Sequence, residues 1–555
     1  MRVYMSKKRS STGFLVQGSI LAMASIVSRI IGLLYRIPLI GIIGDVGMDY
    51  YATAFEIYNN LLIISSYSLP LAVSKLVSAD MSRGRRRNVY RILRGALAFA
   101  TATGGAAALI LFFGAEAFTT AMKTPFSIFA VRVLIPTLIV VAVLGVLRGF
   151  FQGLGSMMPS AISQVLEQIA NAIVSVWAAY VLYKYGMKVG AILGNQENYA
   201  AAYGAAGGTL GTGIGAVVAL IFSCFVLFAY MHVYKRQTKR EGLSKVDSYK
   251  HIFYTLIITI IPVLLSTTIY NCNTLVDMAI FKNIANAQGY SALEISTWNG
   301  VYTGRYKTLI NVPISIASAL AASSVPALTA AYTKKNLDEV RSQINSAIRF
   351  IMLISIPCAV GMGVLAEPIL KLVRLSDESG LAAVMLRYGA VSIVFFSLST
   401  LSNGLLQGIN RMKEPVKNAA IALVLHIIVL VGLMYGFDMN IYAVIFANAA
   451  FGLIMSFLNA WSIRRYVGYR QEIVKTFLVP GLAAGIMGVV VWCVHKGLMY
   501  LLRINVIATI LSILIGAVVY FALVLLFKGM GEAELRRLPK GHLLVKVARK
   551  AHLLR

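Results

Sequence analysis

Acidic residues are scarce in this chain. Its 555 residues include 21 Asp and Glu against 51 Lys and Arg, and charged residues of both signs make up only 13%. Other chemistry-bearing residues are just as thin. The six histidines are scattered, and the four cysteines (Cys224, Cys272, Cys358 and Cys493) contain no C-x-x-C pair. Each cysteine lies in an apolar stretch, so they read as small buried hydrophobes, neither disulfides nor metal ligands. There is no H-E-x-x-H and no Walker A sequence, and no lipidation motif is evident. These absences argue against an enzyme, and no cofactor is expected. A formal net charge of +30 brings nucleic acid to mind. The basic residues, however, sit in short loops between apolar runs, which is a topology signal and not a binding face. Nucleic acid is not an expected partner.

What the chain has in plenty is apolar sequence, 58% of the total, which is the composition of an all-α polytopic membrane protein. Runs of about 20 residues, enough to cross a bilayer, recur at near-regular intervals, and about fourteen are counted. Their approximate bounds are 13–37, 50–78, 90–114, 125–150, 158–183, 209–231, 252–282, 303–331, 345–366, 380–405, 416–436, 440–463, 474–496 and 504–527. The N-terminal KKR with Ala22-Met23-Ala24 has the outline of a secretory signal. The apolar run continues past Ala24, which indicates an uncleaved first helix.

The basic loops fall on one side: the N-terminal KKR, Arg83–Arg87, Lys235–Arg240, Lys334-Lys335, Arg464-Arg465 and the tail from Lys528 to Arg555. The alternate loops, Gly41–Asp49, Gly186–Gly208, Asn283–Gly300 and Gly436–Asn440, are poor in Lys and Arg. By the positive-inside rule both termini are cytoplasmic, which an even helix number also requires. The expected location is the cell membrane. The tail either lies on the anionic cytoplasmic leaflet through its mixed Leu, Val, Lys and Arg or serves only to set topology.

Two echoes suggest an internal duplication. Gln152, Gly153, Met157 and Pro159 match Gln407, Gly408, Met412 and Pro415 at an offset of about 255 residues, and Ser68-Leu69-Pro70 matches Ser324-Val325-Pro326 at nearly the same offset. The expected domains are therefore an N-lobe at 1–240 (helices 1–6 with a basic loop), a C-lobe at 241–470 (helices 7–12), helices 13–14 at 471–527 and a basic tail at 528–555. Two six-helix lobes with even helix numbers are parallel copies. The run Gly204 to Ala216 holds a G-x-G-x-x-A, but its overlapping G-x-x-x-G spacings point to close helix contact.

Charges within the spans are the candidate functional residues. A charge at mid-bilayer costs about 2.5–3.5 kcal/mol on insertion scales, so such residues face a bundle interior or a hydrated cavity. The first half carries Arg29, Arg36, Glu56, Asn59, Asn60, Gln164, Glu167, Gln168 and Asn171; the second carries Asn271, Asn273, Asp277, Arg305, Lys307, Asn311 and His426. Glu167 and Asn171 are four apart and share a helix face, with Gln164 and Gln168 beside them. Arg29 is expected to be neutralised by Glu56 or Glu167. For Arg36 an interfacial position, snorkelling before Pro38, competes with a cavity position. A net cationic cavity suits an anionic, phosphate-bearing substrate, because arginine stays charged when buried and contacts phosphate through two donors. An inside-negative membrane potential favours outward movement of an anion.

Several stretches resemble the MOP superfamily of flippases, specifically its MurJ-type and stage-V-sporulation-B-like polysaccharide exporters. They are SRIIGLLYR from Ser28, DYYATAFEIYN from Asp49, SLPLAVSKLVS from Ser68, QGLGSMMPSAISQVLEQ from Gln152 and YTGRYKTLINVPISIASALAASSVPAL from Tyr302. The resemblance covers essentially the whole chain. It implies alternating access, with the lobes rocking while a polyprenyl tail stays in lipid along helices 13 and 14. It makes Arg29, Arg36 and Arg305 cavity arginines, and adds Asp49 as the acid opening helix 2; with Glu56 and Glu167 these form the expected substrate-binding set. Departures accompany it. Arg36 is offset by about one position, helix 2 lacks an arginine near Ile63–Ser66, and His426 and Leu430 stand where some members carry sodium-binding residues. Asp277 alone remains as a sodium candidate.

The expected function is thus a flippase for an undecaprenyl-pyrophosphate-linked saccharide, with lipid II the best single substrate. The partners are this lipid-linked anionic saccharide, membrane lipids and the cell-wall synthesis machinery. Coupling is to the membrane potential or a monovalent cation. The alternatives are export of another lipid-linked oligosaccharide and, against the arginines, a multidrug or cation antiporter.

Overall fold

In the computed structural model, the described residues are 20–21, 23–238 and 246–531, with isolated positions 545 and 549. The N-terminal KKR, the side chains of Lys235–Arg240 and Cys272, and the tail beyond residue 531 (apart from those two positions) lie outside the described residues. Every regular element among the described residues is helical. Eleven helices are long and apolar enough to span a membrane, or up to twelve if one bent pair counts as a span. The described residues do not confirm the expected count of about fourteen. The first and seventh expected positions are occupied by the apolar helix Met23–Leu34 and by the helix Tyr249–Ala287, each only partly covered by the described side chains.

The chain packs into two compact units, Met1–Gly304 and Arg305–Arg555. The division falls inside the expected eighth helix, whereas the sequence echoes place the repeat boundary near residue 240. The first unit comprises α1 (Met23–Leu34), α2 (Arg36–Leu62), α3 (Leu69–Ser82), α4 (Arg86–Ala121), α5 (Ile128–Gly153), α6 (Met158–Leu193), α7 (Gln196–Thr238), α8 (Tyr249–Ala287) and α9 (Ala292–Gly300). The second comprises α10 (Lys307–Thr333), α11 (Leu337–Val364), α12 (Ala366–Leu372), α13 (Leu381–Gly389), α14 (Ser392–Gly408), α15 (Lys413–Phe437), α16 (Asn440–Val467), α17 (Val479–Leu502) and α18 (Asn505–Leu526). A π-helical segment, Val301–Tyr306, carries the chain across the boundary.

Local signals explain the helix ends. Ser248 caps α8 by accepting from the His251 amide, and Ser291 with Glu294 forms a reciprocal capping box on α9. Asp377 accepts from the amides of Leu381 and Ala382 at the start of α13. The expected polar loop Gly41–Asp49 is instead helical, broken at Gly44 (φ 69°, ψ −176°), a conformation that a side chain would strain. The expected loop Gly186–Gly208 shrinks to a turn at Gly194 and Asn195, because the small residues there serve helix packing. Gly207, Gly211 and Gly215 press their backbone against Ala178, Ser175 and Glu167 of α6, and a Cβ at Gly207 would lie 2.5 Å from the Ala178 carbonyl carbon. With little hydrophobic drive between helices in lipid, such close approach supplies the association energy.

The glycines of one sequence echo make close helix contacts in both units. Gly149 and Gly153 of α5 meet Pro70 and Val77 of α3, and Gly404 and Gly408 of α14 meet Ala321 and Leu328 of α10. The Gln-Gly echo is therefore in structural register. Apolar side chains of α3, α4, α5 and α8 (Val77, Ile92, Phe150, Leu256) fill the core of the first unit. In the second, α11 and α14 pack with α17 and α18 through Ile348, Met352, Leu405, Val491 and Val524. One face of α11 also ties down neighbouring chain ends. Arg341 Nε donates to Val467 O at 2.8 Å, Asn345 accepts from Tyr469 at 3.0 Å, and buried Arg349 donates to Gly529 O.

Candidate functional site: charged networks inside the first unit

The most deeply buried charges belong to a pair of which the sequence exposed only half. Asp49 of α2 and Lys282 of α8 both have no solvent exposure, and their ion pair is 2.6 Å long. Lys282 also donates to Thr53 Oγ1 at 2.8 Å, and Asn299 of α9 donates to Asp49 Oδ1 at 2.5 Å. Asp49 Oδ2 accepts no hydrogen bond. Beside it, the backbone of Gly300 rests on the Asp45 carbonyl. Three helices thus converge on one carboxylate. Lys282 closes the expected apolar run 252–282, a position where cations are common. The available signal was Asp49 itself, since a buried carboxylate needs a cation.

A second network joins α5 and α6. Arg148 Nη2 pairs with Glu167 Oε2 at 2.7 Å, and Arg148 Nε donates to Ser163 Oγ at 2.8 Å. Ser160 donates to Arg148 O at 3.2 Å, and Gln152 donates to Ser160 Oγ at 3.3 Å. Glu167 is therefore neutralised by Arg148, not by Arg29, which lies exposed on α1. Arg148 lies near the end of the expected span 125–150, where cations are common for topological reasons.

A third group adjoins α1. Half-buried Arg36 interacts with Tyr35, Tyr51 and Glu56, so two of the expected site residues, Arg36 and Glu56, are brought together. Tyr35 and Tyr51 hydroxyls are 3.3 Å apart, Asn171 reaches Tyr35 at 3.5 Å, and Ser25 donates to Gln164 at 3.4 Å. The polar face expected on the fifth span, Gln164, Gln168 and Asn171, accordingly lies along the first helix.

The remaining candidates have these surroundings. Arg305 donates to Ser376 O at 2.7 Å within the second unit. Asp277 is buried in α8, and among the described residues no group of three or more His, Cys, Asp or Glu is placed to hold a metal. His426 is fully buried, with Nδ1 2.8 Å from Ala447 O, and ties α15 to α16. Cys224 and Cys493 are exposed and not buried as expected. An apolar neighbourhood in sequence does not distinguish a protein core from a lipid-facing surface.

The duplication makes the first unit's charges informative. At the offset that relates Gly149 to Gly404, Arg148 and Ser163 correspond to Asn403 and Asn418. There the network is uncharged: Asn459 donates to Asn403 Oδ1 at 2.7 Å and Ser402 Oγ at 3.0 Å, while Asn418 donates to Asn459 Oδ1 at 2.9 Å. The two networks also join different helices: Arg148 links α5 to α6, whereas Asn459 of α16 links Asn403 of α14 and Asn418 of α15.

The helical spans and the following similarities define a polytopic membrane transporter of the MOP superfamily. A family model described as "Polysaccharide biosynthesis protein" matches residues 15–332, and one described as MatE matches residues 306–431. The chain belongs to the polysaccharide biosynthesis protein family. It is 28% identical to the lipid II flippase MurJ of Bacillus subtilis (strain 168), over 85% of this chain and 86% of that one. It is 25% identical to stage V sporulation protein B of the same organism, over 95% and 98% respectively. Among solved structures, a lipid II flippase MurJ in an inward closed conformation shares the fold at TM-score 0.63 and 17% identity, covering 91% of this chain and 98% of that one. An inward-facing MATE family multidrug transporter does so at TM-score 0.63 and 16% identity, covering 80% and 94%.

Proposed function

We propose that this transporter is a flippase for a lipid-linked anionic saccharide, moving it from the inner to the outer leaflet by alternating access, with lipid II the first candidate. The observation that carries this reading is the arginine-bearing interior of the first unit. Arg36 and Arg148 are held within apolar spans beside Glu56 and Glu167, where lipid exposure would be costly. Such guanidinium groups suit a pyrophosphate, and the similarity to a lipid II flippase supports that substrate. Arg29 extends the set in the first unit, Arg305 is the expected cation of the second, Asp49 acts through its hold on α8, and a polyprenyl tail remains in lipid. Outward movement of the anion draws on the membrane potential, in the cell membrane, with both termini cytoplasmic. The chain itself makes and breaks no covalent bond. A second reading, export of another lipid-linked oligosaccharide, is favoured by the family description and by the near full-length match to a sporulation protein.

The test is replacement of the only lipid II flippase in a dependent cell. The expected result is restored growth and externally accessible lipid II; growth arrest with the chain correctly inserted overturns the lipid II assignment and leaves the second reading. Arg29→Ala and Arg305→Ala are expected to abolish transport without reducing membrane insertion, and normal flipping by both variants removes the cationic-cavity argument.

A further inference from the structure

We propose that the seam between α4 and α8 binds the phosphate headgroup of an anionic bilayer phospholipid, through Arg91, Arg94 and Lys250. On α4, Arg87, Arg91 and Arg94 follow the spacing of a single helix face. The Arg91 guanidinium lies 4.4 Å over the ring of Tyr249, and that of Arg94 lies 4.5 Å over Tyr90. Stacking fixes the plane of each guanidinium while leaving its in-plane N–H groups for an acceptor. Arg91 Nε is buried and donates to no protein acceptor. Lys250 and His251 stand exposed in the first turn of α8, where the helix dipole already presents its positive end.

The neighbouring acids do not neutralise this cluster. Asp80 and Asp247 are engaged by Arg85 and Asn88, with Arg85 Nε to Asp80 Oδ1 at 3.0 Å, Arg85 Nη1 to Asp247 Oδ1 at 3.3 Å and Asn88 Nδ2 to Asp247 Oδ2 at 2.7 Å. What remains facing outward is cationic. The seam then turns apolar. Gly95 packs closely against Tyr249 and Ile252, and Tyr254, Ile257, Ile258 and Ile261 continue along α8 as exposed side chains. A phosphate acceptor at one end and acyl-chain surface below match a membrane phospholipid better than a free anion. Basic and aromatic residues at the start of an apolar span also lie at headgroup depth.

The experiment uses the full-length protein in phosphatidylcholine bilayers, with and without phosphatidylglycerol, and reads thermal unfolding together with the lipids retained on mass spectrometry. The wild type is expected to gain an unfolding-temperature shift and retained phosphatidylglycerol. The variant Arg91→Ala/Arg94→Ala/Lys250→Ala is expected to lose both. Should that variant fail to fold, the exposed single change Arg94→Gln carries the same expectation, with a reduced shift. A phosphatidylglycerol response that is absent from the wild type, or that survives in the variants, overturns the proposal. An equal shift from inorganic phosphate in pure phosphatidylcholine overturns it as well, by making the seam a site for the free anion.

Discussion

A lysine and an aspartate fully withdrawn from solvent join α2 to α8, with Asn299 and Thr53 completing the hydrogen bonds. The desolvation of two such ions is recovered only while both are present, and removing one partner of a buried pair costs about 3–5 kcal/mol. Lys282→Met alone should therefore lower the unfolding temperature of the purified protein sharply. The double variant Asp49→Asn/Lys282→Met should recover most of that loss, because the amide still accepts from Asn299 and leaves no uncompensated charge. A Lys282→Met protein as stable as the wild type would show that the pair holds nothing together. The Arg148–Glu167 pair is less deeply buried, with side-chain exposures of 15% and 22%, so water shares its stabilisation and its loss should weigh more on transport than on folding.

At the scale of elements, stability rests on backbone contact. A Cβ on Gly149 would come within 2.5 Å of the Pro70 carbonyl oxygen, and one on Gly404 within 2.7 Å of the Ala321 side chain, whereas Gly105 has nothing within 4 Å. Overpacking at such contacts typically costs about 1–3 kcal/mol. An unobstructed helical glycine replaced by alanine instead gains about 0.8–1.0 kcal/mol in helix propensity. Gly149→Ala and Gly404→Ala should thus lower the unfolding temperature, and Gly105→Ala should raise or preserve it. The same loss at all three positions would mean that backbone approach is not what binds α3 to α5 and α10 to α14. The α11 face of Arg341, Asn345 and Arg349 works at this scale too, since it anchors the ends of α16 and α18.

For the whole molecule, the proposed orientation follows from charge alone and can be read directly. In a cysteine-free background, a cysteine at Gly84 should resist a membrane-impermeant maleimide in intact cells, and one at Asp438 should react. The opposite pattern reverses the topology and, with it, the direction of transport. Packing adds something that the repeat does not contain. The sequence echoes place a boundary near residue 240, but α8 and α9 pack with the first unit, which ends at Gly304. The buried Asp49–Lys282 pair is part of the physical reason, because it holds these later helices to α2.

The sequence by itself determined the helical membrane class, most of the spans and the polar face of Gln164, Glu167, Gln168 and Asn171. Each of these depends on composition or on periodicity along one segment. It named Arg36, Glu56 and Glu167 because charge within an apolar run is conspicuous, and Asp49 only through the family resemblance. Lys282 and Arg148 were hidden because they lie at the ends of such runs, where cations are common for topological reasons. Only the tertiary structure decided which charge meets which, since a pairing across 233 positions of chain, from Asp49 to Lys282, is set by how the helices pack. For the same reason it alone separated lipid-facing Cys224 and Cys493 from the protein core: lipid and packed side chains are equally apolar, and a single chain segment carries no record of which one it will face.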